Sequence, residues 1–246
     1  MAYEFSELKE CGRINRKVLK QVIAAAQPGI KLTSLDDLSE RLIGERGAFP
    51  AFKKVKNYHY SICANVNNGL IHGIPNDYML KEGDILTVDQ GVLYNGWYTD
   101  HATSVEVRSS KLKVKSWEDE VFLYAGRKAL LEAIKMATDG KRVGDISHAI
   151  QETIEKAGFS VVEDYVGHGT GKKLHVSPQI PCFGRPNTGL ALKECQILAI
   201  EVMYTDSPSR LVVAEDGWTV VARNAKLAAL FEKTVMVGKR EALILT

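Results

Sequence analysis

Apolar residues recur at spacings of three and four over residues 5–26 and 118–137, and again over 29–48 and 140–159, which predicts four amphipathic helices. The second pair align without gaps at an offset of 111, matching Leu32 with Val143, Leu35 with Ile146, Ile43 with Ile154 and Gly47 with Gly158. Leu19 and Ile23 meet Leu130 and Ile134 at the same offset, so the chain reads as two related halves. Ser34 and Asp145 are expected as the matching N-caps. Strand-like runs occupy 60–66, 84–94, 97–108, 160–166, 197–205, 211–213, 218–222 and 232–238. The predicted fold class is α+β: helices on one side of a largely antiparallel sheet, in one domain spanning 1–246 with pseudo-symmetric halves at roughly 5–110 and 115–246.

The best-defined local feature is a hairpin. Asn95-Gly96 between apolar flanks predicts a two-residue type I′ loop that pairs Tyr94 with Trp97. That register sets Asp100 opposite Gly91 and Asp89 opposite Ala102, leaving both carboxylates on one face as diagonal neighbours about 7–8 Å apart at Cα. Aspartate is disfavoured in strands and like charges repel. Either a cation draws the two together, or this is a solvated polar face.

Other residues interrupt the pattern in the same way. His168 sits between Gly167 and Gly169, which let the backbone approach a ligand closely; the stretch lacks the spacing of a Walker loop or a dinucleotide fingerprint, so a phosphate cradle is disfavoured. Glu201 breaks the apolar run 197–204, where burial without a cation or donor is expensive. Glu232, Thr234 and Met236 alternate with their neighbours, and on this pattern solvent exposure of Glu232 is at least as well supported as burial. His72 precedes a turn at Pro75; His59 and His101 are unassigned, and His148 reads as a helix-surface residue. Four carboxylates and one imidazole suit a pair of divalent ions better than one structural zinc, and such a pair can activate water for hydrolysis.

Composition narrows the class further. With 246 residues, 45% hydrophobic content and a formal charge of +2, the chain can bury a large core and has no overall bias toward nucleic acid. Lys53 to Lys56, Lys111 to Lys115 and Lys172-Lys173 read as solvated surface. No run reaches the ~18–20 apolar residues of a membrane span and no signal peptide is evident, so a cytoplasmic protein is expected. Cys11, Cys63, Cys182 and Cys195 form no CxxC pair and are expected as free buried thiols.

The stretches SICANVNNGLIHGIP (61–75), LKEGDILTVDQGVLYNGWYTD (80–100), GHGTGKKLH (167–175), ILAIE (197–201) and EDGWTVVARNAKLAALFEKTVMV (215–237) together closely resemble the type I methionine aminopeptidases of the creatinase-like "pita-bread" family. The resemblance implies a curved, mainly antiparallel sheet covered by helices. It implies Asp89, Asp100, His168, Glu201 and Glu232 as ligands of two divalent ions (Mn, Fe, Co or Zn), with Asp100 and Glu232 bridging. It implies His72 and His175 as substrate-binding and catalytic residues, Glu201 as a proton relay, and Cys63, Leu174 and Trp218 lining a methionine pocket, with Tyr58 or Tyr60 as an alternative further wall. The implied reaction removes the initiator methionine from nascent proteins by metal-activated water attack on the first peptide bond, in a monomer with transient ribosome contact, no nucleic-acid readout and no membrane.

The intervals between His168, Glu201 and Glu232 leave no room for the helical insertion of the type II enzymes. An X-Pro aminopeptidase of the same fold and a non-catalytic pita-bread binding module are the alternatives. Tyr98-Thr99, Val176-Ser177 and Val202 depart from the family's usual residues, and none of them removes a ligand.

Overall fold

The computed structural model describes residues 2–109 and 117–246. The basic cluster at 111–115 lies outside the described residues. Helices α1 (Ala2–Ala25), α2 (Leu32–Gly44), α3 (Trp117–Lys135) and α4 (Val143–Lys156) occupy the four periodic segments, and α4 begins 111 residues after α2. Gly47 and Gly158, the matched glycines that follow them, both adopt the positive φ that ends a helix (67° and 86°).

The expected N-caps are displaced. Both helices start earlier, with Lys31 and Arg142 in extended conformation at the cap, which puts Ser34 and Asp145 in the first turn. Asp145 works from there, accepting the backbone N–H of Arg142 at 2.8 Å and that of Asn187 at 2.8 Å. A carboxylate at this third position reaches back to the cap N–H and meets the positive end of the helix dipole.

The strands are β1 (Phe49–Pro50), β2 (Ile62–Val66), β3 (Gly69–Ile71), β4 (Ile85–Tyr94), β5 (Trp97–Glu106), β6 (Ser160–Val161), β7 (Val166–Gly169), β8 (Val176–Pro181), β9 (Ile197–Thr205), β10 (Leu211–Val213), β11 (Val220–Ala222), β12 (Ala228–Met236) and β13 (Leu243–Ile244). The expected run at 160–166 splits into β6 and the start of β7, and β12 starts four residues before the predicted 232. Strands β1, β3, β8 and β13 were not predicted. Three are very short, and β8 contains Pro178, which weakens any strand pattern.

All named strand pairs are antiparallel, in three sheets. One runs β1-β4-β2 with β5 on β4; a second runs β10-β11-β3; the third runs β13-β12-β9-β7-β8 with β6 on β9. The hairpin register is as expected, with Tyr94 opposite Trp97, Gly91 opposite Asp100 and Asp89 opposite Ala102. Asn95 and Gly96 both have positive φ (47° and 75°), as a type I′ turn requires.

Each pair of helices covers the outer side of one large sheet. Leu8, Ile14, Val18 and Val22 of α1 and Leu35 and Ile43 of α2 pack on Ile62, Leu86, Val88 and Val92. Phe122 and Leu130 of α3 and Ile146, Ile150 and Ile154 of α4 pack on Leu198, Ile200, Val202 and Phe231. At ~1.5–3 kcal/mol per fully buried large apolar side chain, these faces fix which side of each sheet is left for other groups. No helix of the described residues is long and apolar enough to cross a membrane.

Three cysteines, Cys11, Cys63 and Cys182, are buried and free as expected, but Cys195 is exposed. It lies in the turn before β9 with positive φ (67°), outside either core.

Candidate active site

The carboxylates of the hairpin converge with residues of the third sheet. Asp89 and Asp100 project from β4 and β5; Glu201 of β9 is the direct cross-strand partner of Glu232 on β12, and His168 of β7 pairs with Ala199, two residues before Glu201. Ligand atoms of Asp89, Asp100 and Glu232 lie within 4.8 Å of one another, as do those of His168, Glu201 and Glu232, and those of Asp100, His168 and His175. The structure thus brings all five predicted ligands together. Glu232 is only 2% exposed, which excludes the solvent-facing reading of its alternating pattern.

Hydrogen bonds from the helices hold the hairpin from behind. On its helix side, Asn15 of α1 donates to the carbonyls of Gln90 (2.9 Å) and Thr99 (3.1 Å), the neighbours of the two aspartates. Gln90 returns a bond to Asn15 Oδ1 at 3.0 Å and accepts one from Ser39 of α2 at 2.8 Å. The glycines flanking His168 serve a different purpose from the ligand approach expected of them. A Cβ on Gly167 would meet the Ala199 carbonyl oxygen at 2.7 Å, and one on Gly169 the Ser177 carbonyl oxygen at 2.3 Å. They let β7 fit between the backbones of β8 and β9.

Burial dominates the electrostatics. It pushes Asp89, Glu201 and Glu232 well above the usual carboxylate range, and their mutual charges and that of Asp100 push them further. Asp100 is pushed up to about 7 by burial, against the hydrogen bond from Asp89 and that from the His101 backbone. Burial and the neighbouring His175 lower His168 to about 4. His168 Nδ1 lies 2.9 Å from the Gly169 carbonyl oxygen, which only accepts, so Nδ1 carries the proton. The lone pair of Nε2 then faces Glu201 at 3.5 Å and Asp100 at 4.0 Å. Asp89 Oδ1 and Glu232 Oε1 are buried without a hydrogen-bond partner among the described residues. Orphaned carboxylate oxygens beside an imidazole lone pair make a donor set that fits hard to borderline divalent cations.

These groups form one wall of a cavity of about 190 Å³ whose other lining residues are mostly apolar: Phe52, Val55, Tyr58, Cys63, Ile71, Leu174 and Trp218. Cys63, Leu174 and Trp218 are thus brought together in the lining of one cavity. Of the two tyrosine alternatives, Tyr58 lines the cavity, donating to the Ile62 carbonyl at 2.8 Å; Tyr60 packs edge-on against it from outside. Phe52 and Val55 were missed, because they lie in a short segment beside exposed lysines. The signal was Gly91: a Cβ there would meet Phe52 at 2.7 Å, so only glycine opposite Asp100 admits this aromatic wall.

His72 and His175 stand exposed at the cavity mouth. Surrounding protein lowers both imidazoles below their usual value, and His175 lowers His72 further. His175 packs edge-on against His168, ring centres 4.3 Å apart, and His72 against Tyr165 at 6.0 Å. His72 holds a positive φ of 58°, a strained backbone state that the fold imposes at this mouth. A wider groove of about 1010 Å³, lined in part by Tyr165, Val176, Phe183 and Leu190, opens from the same histidines. His101 is buried away from the cavity beside Lys233, His148 is half-buried on α4 and His59 is exposed.

The site is a buried, acidic, cation-seeking cluster beside a small apolar pocket with two neutral imidazoles at its entrance. Residues 6–239 match metallopeptidase family M24. A methionine aminopeptidase of Clostridium perfringens is 39% identical over 243 residues, covering 99% of this chain and 96% of that protein. The crystal structure of methionine aminopeptidase from Thermotoga maritima superposes with a TM-score of 0.95 at 38% identity, covering 100% of this chain and 97% of its own. An X-Pro aminopeptidase from the same organism gives a TM-score of 0.77 at 19% identity and is covered over 61% of its length, a likeness of fold alone. By sequence and by the pita-bread architecture that carries the site, this chain belongs to metallopeptidase family M24, and it is similar along its whole length to the methionine aminopeptidases.

Proposed function

We propose that this chain is a methionine aminopeptidase, a metal-dependent hydrolase that removes the initiator methionine from nascent proteins. The observation that carries the reading is the convergence of Asp89, Asp100, His168, Glu201 and Glu232, with two orphaned carboxylate oxygens, on one wall of an apolar pocket. These five residues would hold two divalent ions of Mn, Fe, Co or Zn, with Asp100 and Glu232 shared between them. The ions supply Lewis acidity that activates water and polarises the scissile carbonyl.

The protein's own groups do the rest. Cys63, Tyr58, Leu174, Trp218 and Phe52 form a pocket of the size and character of an unbranched thioether side chain. Neutral His72 donates to the substrate backbone, and His175 donates to the carbonyl oxygen as it gains charge. Glu201, at the edge of the cavity, takes the proton from the attacking water and passes it to the leaving amine. Residues 1–246 act as one catalytic domain built from two pseudo-symmetric halves, a reading supported by the matched helix starts and terminal glycines. The protein works as a cytoplasmic monomer that meets its substrate in transient contact with the ribosome.

After reconstitution with Mn, Fe, Co or Zn, the protein should release Met from Met-Ala-Ser and from other peptides with a small second residue. Asp100→Asn should fold but not turn over. Absence of Met release with every metal, or cleavage confined to Xaa-Pro peptides, would sink this reading.

A further inference from the structure

The five proposed ligands come from two sheets that share no backbone ladder. Asp89 and Asp100 belong to the β4–β5 hairpin, and His168, Glu201 and Glu232 to the sheet of β7, β9 and β12. Their facing edges are β5 and β12, and side-chain hydroxyls join them.

Thr234 of β12 takes both backbone groups of Asp100: the Asp100 N–H donates to Thr234 Oγ1 at 2.7 Å, and that hydroxyl donates to the Asp100 carbonyl at 2.8 Å. Ser104 of β5 does the reciprocal for Leu230: the Leu230 N–H donates to Ser104 Oγ at 3.1 Å, and the hydroxyl donates to the Leu230 carbonyl at 3.0 Å. Asp100 and Ser104 lie two residues either side of Ala102, and Leu230 and Thr234 two residues either side of Glu232. The clamps therefore bracket Glu232 symmetrically. Both are backed by further hydroxyls, Thr87 Oγ1 at 2.6 Å from Ser104 Oγ and Thr246 Oγ1 accepting the Thr234 N–H at 3.0 Å. Thr234 and Ser104 are fully buried, so water does not compete for these bonds.

The clustered ligands divide unequally across this seam. His168, Glu201 and Glu232 all stand on one sheet, whereas the group of Asp89, Asp100 and Glu232 and that of Asp100, His168 and His175 hold together only while the two sheets keep their spacing. We infer that Thr234 and Ser104 are positioning residues that set the width of the seam, and that both metal positions depend on them, because Asp100 and Glu232 belong to both. This rests on the proposed metal centre.

The test is Co(II) binding by calorimetry, with the visible absorption of the bound ion as a second readout, on the purified full chain. Wild type should take up two ions. Thr234→Val and Ser104→Ala should bind both about 10- to 100-fold more weakly, as loss of a group that orients a ligand does. Thr234→Ser, which keeps the hydroxyl, should restore both. If Thr234→Val does not fold, the smaller excision Ser104→Ala decides. Unchanged binding of either ion would overturn the inference while leaving the metal centre intact. Wild type that binds no cobalt would overturn the metal centre and this inference together.

Discussion

Glu232 shows why single residues mislead a pattern. Alternation along a strand distinguishes two faces only when one of them meets water, and β12 has neither face in water: Val235, Phe231 and Thr234 are all buried. Its carboxylate, like those of Asp89, Asp100 and Glu201, is held with other acids where burial favours the protonated form, so the metal-free site is a source of pH-dependent instability. The sign follows from which state holds more protons. Asp100 titrates near 4 when unfolded and at about 7 when folded, so its protonated folded form is favoured at low pH and that stability is lost as pH rises through 7. His168, lowered to about 4, acts oppositely, but only below its unfolded value of 6.5, and Lys233, lowered to about 8, acts oppositely from just below that value upward. Between pH 6.5 and 7 the carboxylates decide. Thermal melts of the chelator-treated protein should show Tm falling across this window, and a saturating divalent ion should remove the fall. A Tm that is flat or rises without metal would contradict the buried, coupled carboxylates.

Among the elements, those legible in the sequence were those with a single strong local signal. The β4–β5 hairpin was readable to the residue because Asn95-Gly96 fixes its turn, and the turn fixes every pair that follows. The four helices were readable because each presents one apolar stripe to one sheet. Strand β8 was not, since its sequence carries Pro178 and its pairing comes from β7, a strand admitted by two glycines rather than by any apolar pattern. Gly126 plays a comparable part on α3. A Cβ there would meet the Phe231 ring at 2.4 Å and the Tyr204 ring at 2.6 Å, on the two strands that carry Glu232 and Glu201. Helix propensity alone favours Gly126→Ala by about 1 kcal/mol. Overpacking against two buried rings costs about 1–3 kcal/mol, so destabilisation should win, read as a lower urea midpoint at unchanged m-value. A variant as stable as wild type, or more so, would show that α3 stands off the sheet.

At the scale of the whole molecule, two helix-backed sheets turn their inner faces toward one another, and the acidic residues collect where those faces meet. Outer faces are fixed by apolar packing, and that leaves the inner faces free to carry groups costly to bury. The doubled helix pattern and four of the five interrupting residues were visible along the chain, Glu232 entering only through the family resemblance; the seam between β5 and β12 was not visible, because it arises from contacts between segments with no shared local signal. The central claim is that charges distant in sequence enclose a pair of cations. It is tested most directly by an anomalous difference map from crystals grown with Mn or Co. Two peaks should appear among Asp89, Asp100, His168, Glu201 and Glu232, with Asp100 and Glu232 touching both. Peaks elsewhere on the protein, or none at this cluster, would contradict the account.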